Sequence, residues 1–528
     1  MNTLYYGDNL DVLREHVKDE SVDLVYLDPP FNSKRDYNIL YKEPMGGSSS
    51  AQITAFEDTW HWTDETEAKY QEIVDNASPE LAEMMQSFRR FVGVNDVMAY
   101  LTMMAIRLVE LRRVLKPTGS LYLHCDPTAS HYLKILLDTI FGKKNFRNEI
   151  IWKRSSAHSD SSACGRAHDI IFLYTKNPDD FLWNKQYQAY EEQYIASHYR
   201  RKTEEGRVYR TDNLTATGLT GGGYTYEWNG VTRVWRCPVE TMKRLQEEGR
   251  IQYTRNGVAE YVRYLDEMPG VPLQDVWTDI FPINSQAQER LGFPTQKPVS
   301  LLERIVSASS NEGDVVLDPF CGCGTTIVAA EKLKRQWIGI DVTHLAVSLI
   351  ENRLREHFPK SAFEVIGTPK DLGGARDLAK RDKYQFQWWA LSLVGARPYG
   401  EKKKGGDTGI DGVNFFRVSP TERIKMVVSV KGGEHVGPTM VRDLKGVMER
   451  EKAEMGIFLT LEPPTAGMKK EAASAGIYKS PLGISYPRLQ VFTIEELLSG
   501  ASVKAPAQSE TFKKAGFIDT VKQQGFDW

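Results

Sequence analysis

Short apolar runs that end in tight, Gly- or Pro-shaped loops punctuate this chain. Val22-Asp23-Leu24-Val25-Tyr26-Leu27 and Asp314-Val315-Val316-Leu317 read as buried strands, and each runs directly into an aspartate. Leu121–His124, Asn148–Lys153, Asp169–Tyr174 and Trp337–Asp341 read as further strands. Helical spacing lies between them. Leu10, Leu13 and Val17 share one face behind a cap at Asp8 or Asn9. Met98, Leu101, Ile106, Leu108, Leu111 and Val114 predict a helix from Val97 to Leu115, stopped by a turn at Lys116-Pro117-Thr118-Gly119. Tyr132–Phe141, the stretch after Lys297-Pro298 (Leu301, Leu302, Ile305, Val306) and the stretch from Thr325 predict further helices. Strands alternating with helices predict an α/β fold.

The pattern breaks in recognisable places. Residues 1–180 form a first α/β part, in which 32–95 reads as a polar and aromatic insertion (Phe56, Trp60, Trp62), a mobile flap rather than core. Residues 181–290 are polar and rich in aromatics, Gly and Arg, and read as a recognition insert. The α/β pattern returns over 291–365. Residues 365–380 read as a polar connection, 381–498 as a separate unit and 499–528 as a polar tail. A chain of 528 residues is long enough for several cores.

Composition narrows the class. With 41% hydrophobic and 26% charged residues, the chain reads as globular and soluble. It has no run approaching the ~20 apolar residues of a membrane span, and Met1–Asp8 lacks the features of a signal peptide. Five cysteines without metal-like pairing argue against a disulfide framework and fit a reducing, cytoplasmic location. A net charge of -3 means that any nucleic-acid site must come from local clusters, such as Lys153-Arg154, His198–Lys202 or Lys402-Lys403-Lys404.

The two strand-end loops carry the chemistry. In open α/β sheets, ligands sit beyond the carboxyl ends of strands. Asp28-Pro29-Pro30-Phe31 can hold an exocyclic amine. Such an amine is a poor nucleophile because its lone pair is delocalised into the ring. A carboxylate (Asp28) and a backbone carbonyl (Pro29, directed by the restricted Pro-Pro pair) can take its two hydrogens, and the Phe31 ring can stack an extruded base. Asp318-Pro319-Phe320-Cys321-Gly322-Cys323-Gly324-Thr325-Thr326 can admit a nucleoside cofactor close to backbone at Gly322 and Gly324. There Asp318 can order the loop or meet an amino group, and Asp341, at the end of the next strand, can accept from ribose hydroxyls. Ile327 occupies the third glycine position of a dinucleotide fingerprint, which argues against NAD.

In this order the motifs resemble the β-class of amino DNA methyltransferases, which includes modification subunits of type III restriction systems. The resemblance covers roughly residues 4–358: Asp28–Phe31, the insert, Thr295-Gln296-Lys297-Pro298, Asp318–Thr326, then Gly339-Ile340-Asp341. It implies a Rossmann-like sheet, S-adenosylmethionine as methyl donor, and double-stranded DNA as substrate. It further implies a cofactor role for Asp8, Lys297, Pro298, Asp318, Phe320, Gly322, Gly324, Thr325 and Asp341, and a catalytic one for Asp28, Pro29, Pro30 and Phe31. Asp at the first motif position implies adenine N6, with cytosine N4 as the alternative. A restriction subunit and a second copy of the chain are the implied partners.

Residues 381–498 carry a second pattern: an amphipathic helix, Gly409-Ile410-Asp411-Gly412, the strand Lys425–Lys431 and the strand Met455–Thr460. This resembles the Mrr-like branch of the PD-(D/E)xK restriction endonucleases. The resemblance implies Mg²⁺ at Asp411, with Ser429 and Lys431 as nuclease-site residues. Ser429 departs from the family, which expects an acid or Gln there, and Gln385 and Gln387 stand where an acidic ligand would help. The readings are therefore a DNA methyltransferase, a self-contained restriction–modification enzyme, and a DNA-binding scaffold for a separate nuclease.

Overall fold

A computed structural model of the chain describes residues 2–30, 36–42, 48–57, 60–155, 164–216, 223–284, 287–291, 293, 295–399, 409–417, 423–506 and 508–509. Phe31, Lys402-Lys403-Lys404 and all of 510–528 lie outside the described residues. The chain divides into two compact units, Lys185–Gln274 and the remainder.

The larger unit is built on a nine-stranded sheet. Its strands are β1 (Asn2–Tyr6), β2 (Val22–Leu27), β3 (Leu115–Cys125), β4 (Phe146–Lys153), β5 (His168–Thr175), β6 (Val276–Trp277), β7 (Val315–Asp318), β8 (Gln336–Asp341) and β9 (Phe363–Ile366). The spatial order is β6-β4-β5-β3-β2-β7-β8-β1-β9. Only β5 runs antiparallel to its neighbours. The central strands β2 and β7 are neighbours, with Leu24 opposite Val316 and Val25 opposite Leu317. Both are apolar because helices cover both faces of a parallel sheet. Their pairing sets the Asp28 and Asp318 loops side by side at one edge.

Three expectations fail. The segment expected as a turn at Lys116–Gly119 lies inside β3, where the pairing shifts between Val22 and Leu24 as a bulge takes up the extra residues. Within the expected flap, Asp64–Asn76 and Pro79–Val92 are helices. Tyr70 and Ile73, and Leu81, Met85 and Phe88, recur at helical spacing and are buried in the main core cluster, while Thr63 and Ser78 cap the two helices. Trp60 and Trp62 pack against the same cluster. The expected connection at 365–380 contains a helix, Leu372–Arg381, whose Ala375 and Leu378 join the C-terminal core.

That C-terminal core surrounds a second sheet, β10 (Arg397–Pro398), β11 (Gly412–Arg417), β12 (Arg423–Lys431), β13 (Met455–Thr460) and β14 (Leu489–Thr493), in that order. Alternation along β12 divides its residues between two cores. Met426, Val428 and Val430 face the cluster that includes the helix Lys383–Leu393, and Val427 faces the helix Pro438–Arg450.

The smaller unit has a four-stranded antiparallel sheet and a hairpin, Tyr224–Trp228 with Val231–Trp235. Asn229 and Gly230 turn the hairpin, both with positive φ, as a two-residue turn requires. Trp235, Met242, Leu214 and Ala259 form its small core. Tyr187–Gln188 pairs with Val271–Pro272 and closes the unit at its base.

Candidate active site

The two strand-end loops line one cleft of 340 Å³. Asp8, Asp28, Pro30, Lys297, Asp318, Phe320, Gly322, Thr325 and Asp341 all face it. Gly324 stands behind this lining as the cap of the helix Thr325–Lys332, and Pro298 caps Val299–Ser309. Pro29 is buried.

Asp341 is the organiser of the glycine loop. Its Oδ2 accepts the Gly322 N–H (2.9 Å), and its Oδ1 accepts the Thr343 N–H (2.9 Å) and hydroxyl (2.8 Å). Burial pushes its carboxyl up to about 6, against the opposing pull of these donors. Asp318 is 3% exposed and accepts the Phe320 N–H at 3.0 Å. Burial pushes this carboxyl up to about 7, a rise tempered by the Thr326 hydroxyl and the Phe320 N–H. Gly324 has φ +76°, and an added Cβ would come within 2.6 Å of Ile350. Only glycine gives the loop this turn without strain.

In the same cleft, Lys297 Nζ is ion-paired with Asp28 Oδ2. Asp28 Oδ1 is buried and has no hydrogen-bond partner among the described residues. Asp8 caps the helix Asn9–His16 by accepting from Leu10 N–H at 2.7 Å.

Several residues of the site escaped the sequence reading. Arg107 is 2% exposed. It donates to Asp8 Oδ2 (2.8 Å), to Asn9 Oδ1 (2.5 Å) and to the Met103 carbonyl (3.0 Å). Asn9 in turn donates to the Pro319 carbonyl at 2.8 Å, so one buried cation ties the first helix to the second loop. Its sequence signal was a charge inside an apolar helix. Tyr26 lines the cleft and its hydroxyl meets His124 Nδ1 at 2.9 Å, while His124 Nε2 meets Asp169 at 3.1 Å.

A cleft that combines a half-satisfied carboxylate with an aspartate-ordered glycine loop suits methyl transfer, and comparison with known proteins agrees. Residues 22–352 match the family model described as DNA methylase. The chain belongs to the DNA methylase family. Residues 378–478 match the model described as restriction endonuclease. The type II methyltransferase M.EcaI of Enterobacter cloacae is 29% identical over 358 residues, spanning 67% of this chain and 69% of that protein. The Mod subunit of the type III restriction-modification enzyme StyLTI of Salmonella typhimurium is 28% identical over 355 residues, spanning 63% of this chain and half of that protein. A DNA modification methylase of Thermus thermophilus, solved with S-adenosyl-L-methionine, has 17% identity and a TM-score of 0.33, covering 69% of this chain and all of that one.

The restriction-endonuclease-type domain has its own polar cluster. Asp411 Oδ1 accepts from Gln387 Nε2 (2.6 Å), and Oδ2 accepts from Val430 N–H (2.6 Å) and the Ser429 hydroxyl (3.1 Å), with Lys431 Nζ at 3.7 Å. Among the described residues no group of three or more His, Cys, Asp or Glu could hold a metal. Asp411 is the carboxylate that would hold Mg²⁺, which is often bound through one or two carboxylates with waters completing its shell; in this arrangement both Asp411 oxygens accept from protein donors.

In the smaller unit, Arg207 is bound to Asp266 and Glu267, and Arg210 to Tyr194. Arg200, Arg233, Arg236 and Tyr224 are exposed. No helix among the described residues is long and apolar enough to cross a membrane.

Proposed function

We propose that this DNA methylase transfers a methyl group from S-adenosylmethionine to the N6 amino group of adenine at a specific site in double-stranded DNA. The observation that carries the reading is Asp28, a residue of the cleft lining: Lys297 holds Oδ2, and the buried Oδ1 has no hydrogen-bond partner among the described residues. A buried acceptor without a donor costs free energy unless a ligand supplies one. An exocyclic amine does so, and the Pro29 carbonyl takes its second hydrogen. The lone pair is then turned towards the other end of the cleft. S-adenosylmethionine supplies an electrophilic methyl on a sulfonium. The residues suited to hold it are Asp341 for ribose hydroxyls, Gly322 for close backbone approach, Asp318 for the methionine amino group, and Asp8 at the adenine end. Lys297 and Pro298, matched by resemblance to the methionine end, line or flank the same cleft; Lys297 serves the Asp28 carboxylate. Catalysis then rests on positioning and fixed charge.

In the same reading, residues 185–274 read the DNA sequence through exposed groups such as Arg233 and Tyr224, and the enzyme works in the cytoplasm. A separate restriction subunit and a second copy of the chain are its proposed partners. Cleavage by the C-terminal domain has less support, because Ser429 and Gln387 occupy Asp411 where acidic ligands would stand.

The test is transfer of labelled methyl to unmethylated genomic DNA, with nucleoside mass spectrometry of the product. N6-methyladenine is expected. N4-methylcytosine would overturn the base assignment, and no transfer despite cofactor binding would overturn the self-sufficient enzyme.

A further inference from the structure

The helix Lys383–Leu393 belongs to the restriction-endonuclease-type domain, yet two of its side chains reach into the methyltransferase part. Trp388 is 6% exposed and shares one apolar cluster with Phe293, Cys323, Leu345 and Leu349. Phe293 and Cys323 are themselves walls of the cleft. Trp388 therefore stands directly behind the cleft lining.

Gln385 makes the second contact. Its Oε1 accepts the backbone N–H of His344 at 3.0 Å. His344 is the first residue of the helix His344–His357 and follows Asp341-Val342-Thr343, all three of which line the cleft. The first N–H groups of a helix have no partner inside it. Thr343 satisfies that of Ala346, and the side chain from the other domain satisfies that of His344. The His344 ring is buried and stacks on Tyr6 (centroids 3.6 Å apart), and Tyr6 packs against the C-terminal core. The segment that carries Asp341 is thus braced from the endonuclease-type domain at its backbone and at its packed face.

We infer that Gln385 and Trp388 are positioning residues for the methyl donor: the helix Lys383–Leu393 of the endonuclease-type domain backs the lining of the cofactor cleft. This rests on the reading of that cleft as the S-adenosylmethionine site. The domain is then required for methylation whether or not it acts on DNA itself. Neither residue touches the cofactor. Each holds the loop whose Asp341 does.

The experiment is titration of the full-length chain with S-adenosylmethionine by calorimetry, for wild type, Asp341→Ala, Gln385→Ala, Trp388→Ala and Trp388→Phe, with unfolding curves taken on each. Loss of one hydrogen bond predicts roughly 3- to 10-fold weaker binding in Gln385→Ala, and loss of the indole predicts roughly 10- to 100-fold in Trp388→Ala. Trp388→Phe should restore binding to within roughly threefold, since it keeps an aromatic filler. In turnover, KM for the cofactor should rise while kcat and KM for DNA hold, a split that general destabilisation would not give.

Wild-type affinity in folded Gln385→Ala and Trp388→Ala, with binding lost in Asp341→Ala, would overturn this inference alone. Full affinity in Asp341→Ala, or no binding by wild type, would overturn the reading of the cleft itself. If Trp388→Ala does not fold, Gln385→Ala and the KM split decide.

Discussion

Lys297 Nζ is ion-paired with Asp28 Oδ2 across 269 positions of sequence, and the other oxygen of that carboxylate is left for a ligand. The cation engages one oxygen and leaves the other without a donor among the described residues. Asp28→Ala is therefore expected to lower methyl transfer by at least roughly 10²–10³-fold, the scale of losing one preorganised polar group at a reacting centre. Cofactor affinity, measured by calorimetry, should stay within about twofold. Transfer retained by this variant would remove Asp28 from the mechanism.

Lys297→Ala leaves the carboxylate without its counter-ion. Breaking a fully buried pair costs about 3–5 kcal/mol. The two side chains keep 10% and 14% of their exposure, so the expected loss is smaller, roughly 1–3 kcal/mol. Urea unfolding measures it, and an unchanged midpoint would show the pair to be energetically idle.

Asp318 gives the cleft a pH dependence. Its carboxyl is raised by burial to about 7 in the folded chain. A raised carboxyl binds its proton more tightly when folded. Its contribution to stability is therefore present below the ordinary carboxylate range and is lost as pH rises through about 7. The ligand-free protein should lose more thermal stability between about pH 6 and about pH 8 than Asp318→Asn does. A cationic amino group beside Asp318 favours the ionised form. Cofactor affinity should then tighten about tenfold over the same interval, and Asp318→Asn should flatten that rise. A pH-independent affinity in wild type would place the ammonium elsewhere.

The two glycines of the loop should differ. Alanine at 324 meets Ile350 at 2.6 Å and is held at φ +76°, so Gly324→Ala is expected to cost roughly 2–4 kcal/mol from backbone strain and overpacking together. At 322 the nearest atom is Phe293 Cε1 at 3.4 Å, which is ordinary contact, so the strain of the left-handed φ of +50° is the remaining cost. Gly322→Ala should cost about 1–2 kcal/mol and act mainly on cofactor affinity. Chemical unfolding of both variants checks the order.

Asp411 is held by neutral donors and one lysine rather than by carboxylate neighbours. Millimolar Mg²⁺ should leave the thermal midpoint of wild type unchanged. Ser429→Glu sets a second carboxylate beside Asp411, and a Mg²⁺-dependent rise in midpoint is expected in that variant. A rise of equal size in wild type would show that the present donors suffice.

The parts of the site that lie next to each other in sequence were legible before the structure. A strand, an aspartate and a tight loop form a local signal, and the Asp28 and Asp318 loops carry it completely. The helices Asp64–Asn76 and Pro79–Val92 were hidden by the polar, aromatic stretch before them, although Ser78-Pro79 and the spacing of Leu81, Met85 and Phe88 mark the second one. The partners of Arg107, Lys297 and Gln387 were not legible, because each lies on a different element. Gln387 reads as a missing acid until Asp411 is seen to accept from it. The helix Leu372–Arg381 was lost in a polar stretch whose two buried positions, Ala375 and Leu378, give a weak apolar face.

The pairing of Tyr187–Gln188 with Val271–Pro272 works as a clasp on the excursion between them. Once a clasp is shut, the length and content of what it encloses add little to the closure entropy of the rest of the chain. On the proposed reading of this excursion as the part that reads DNA, one such part can be exchanged for another while the chemistry stays untouched. A chimera joined at these two dipeptides is expected to methylate the donor's target sequence at the host's turnover rate.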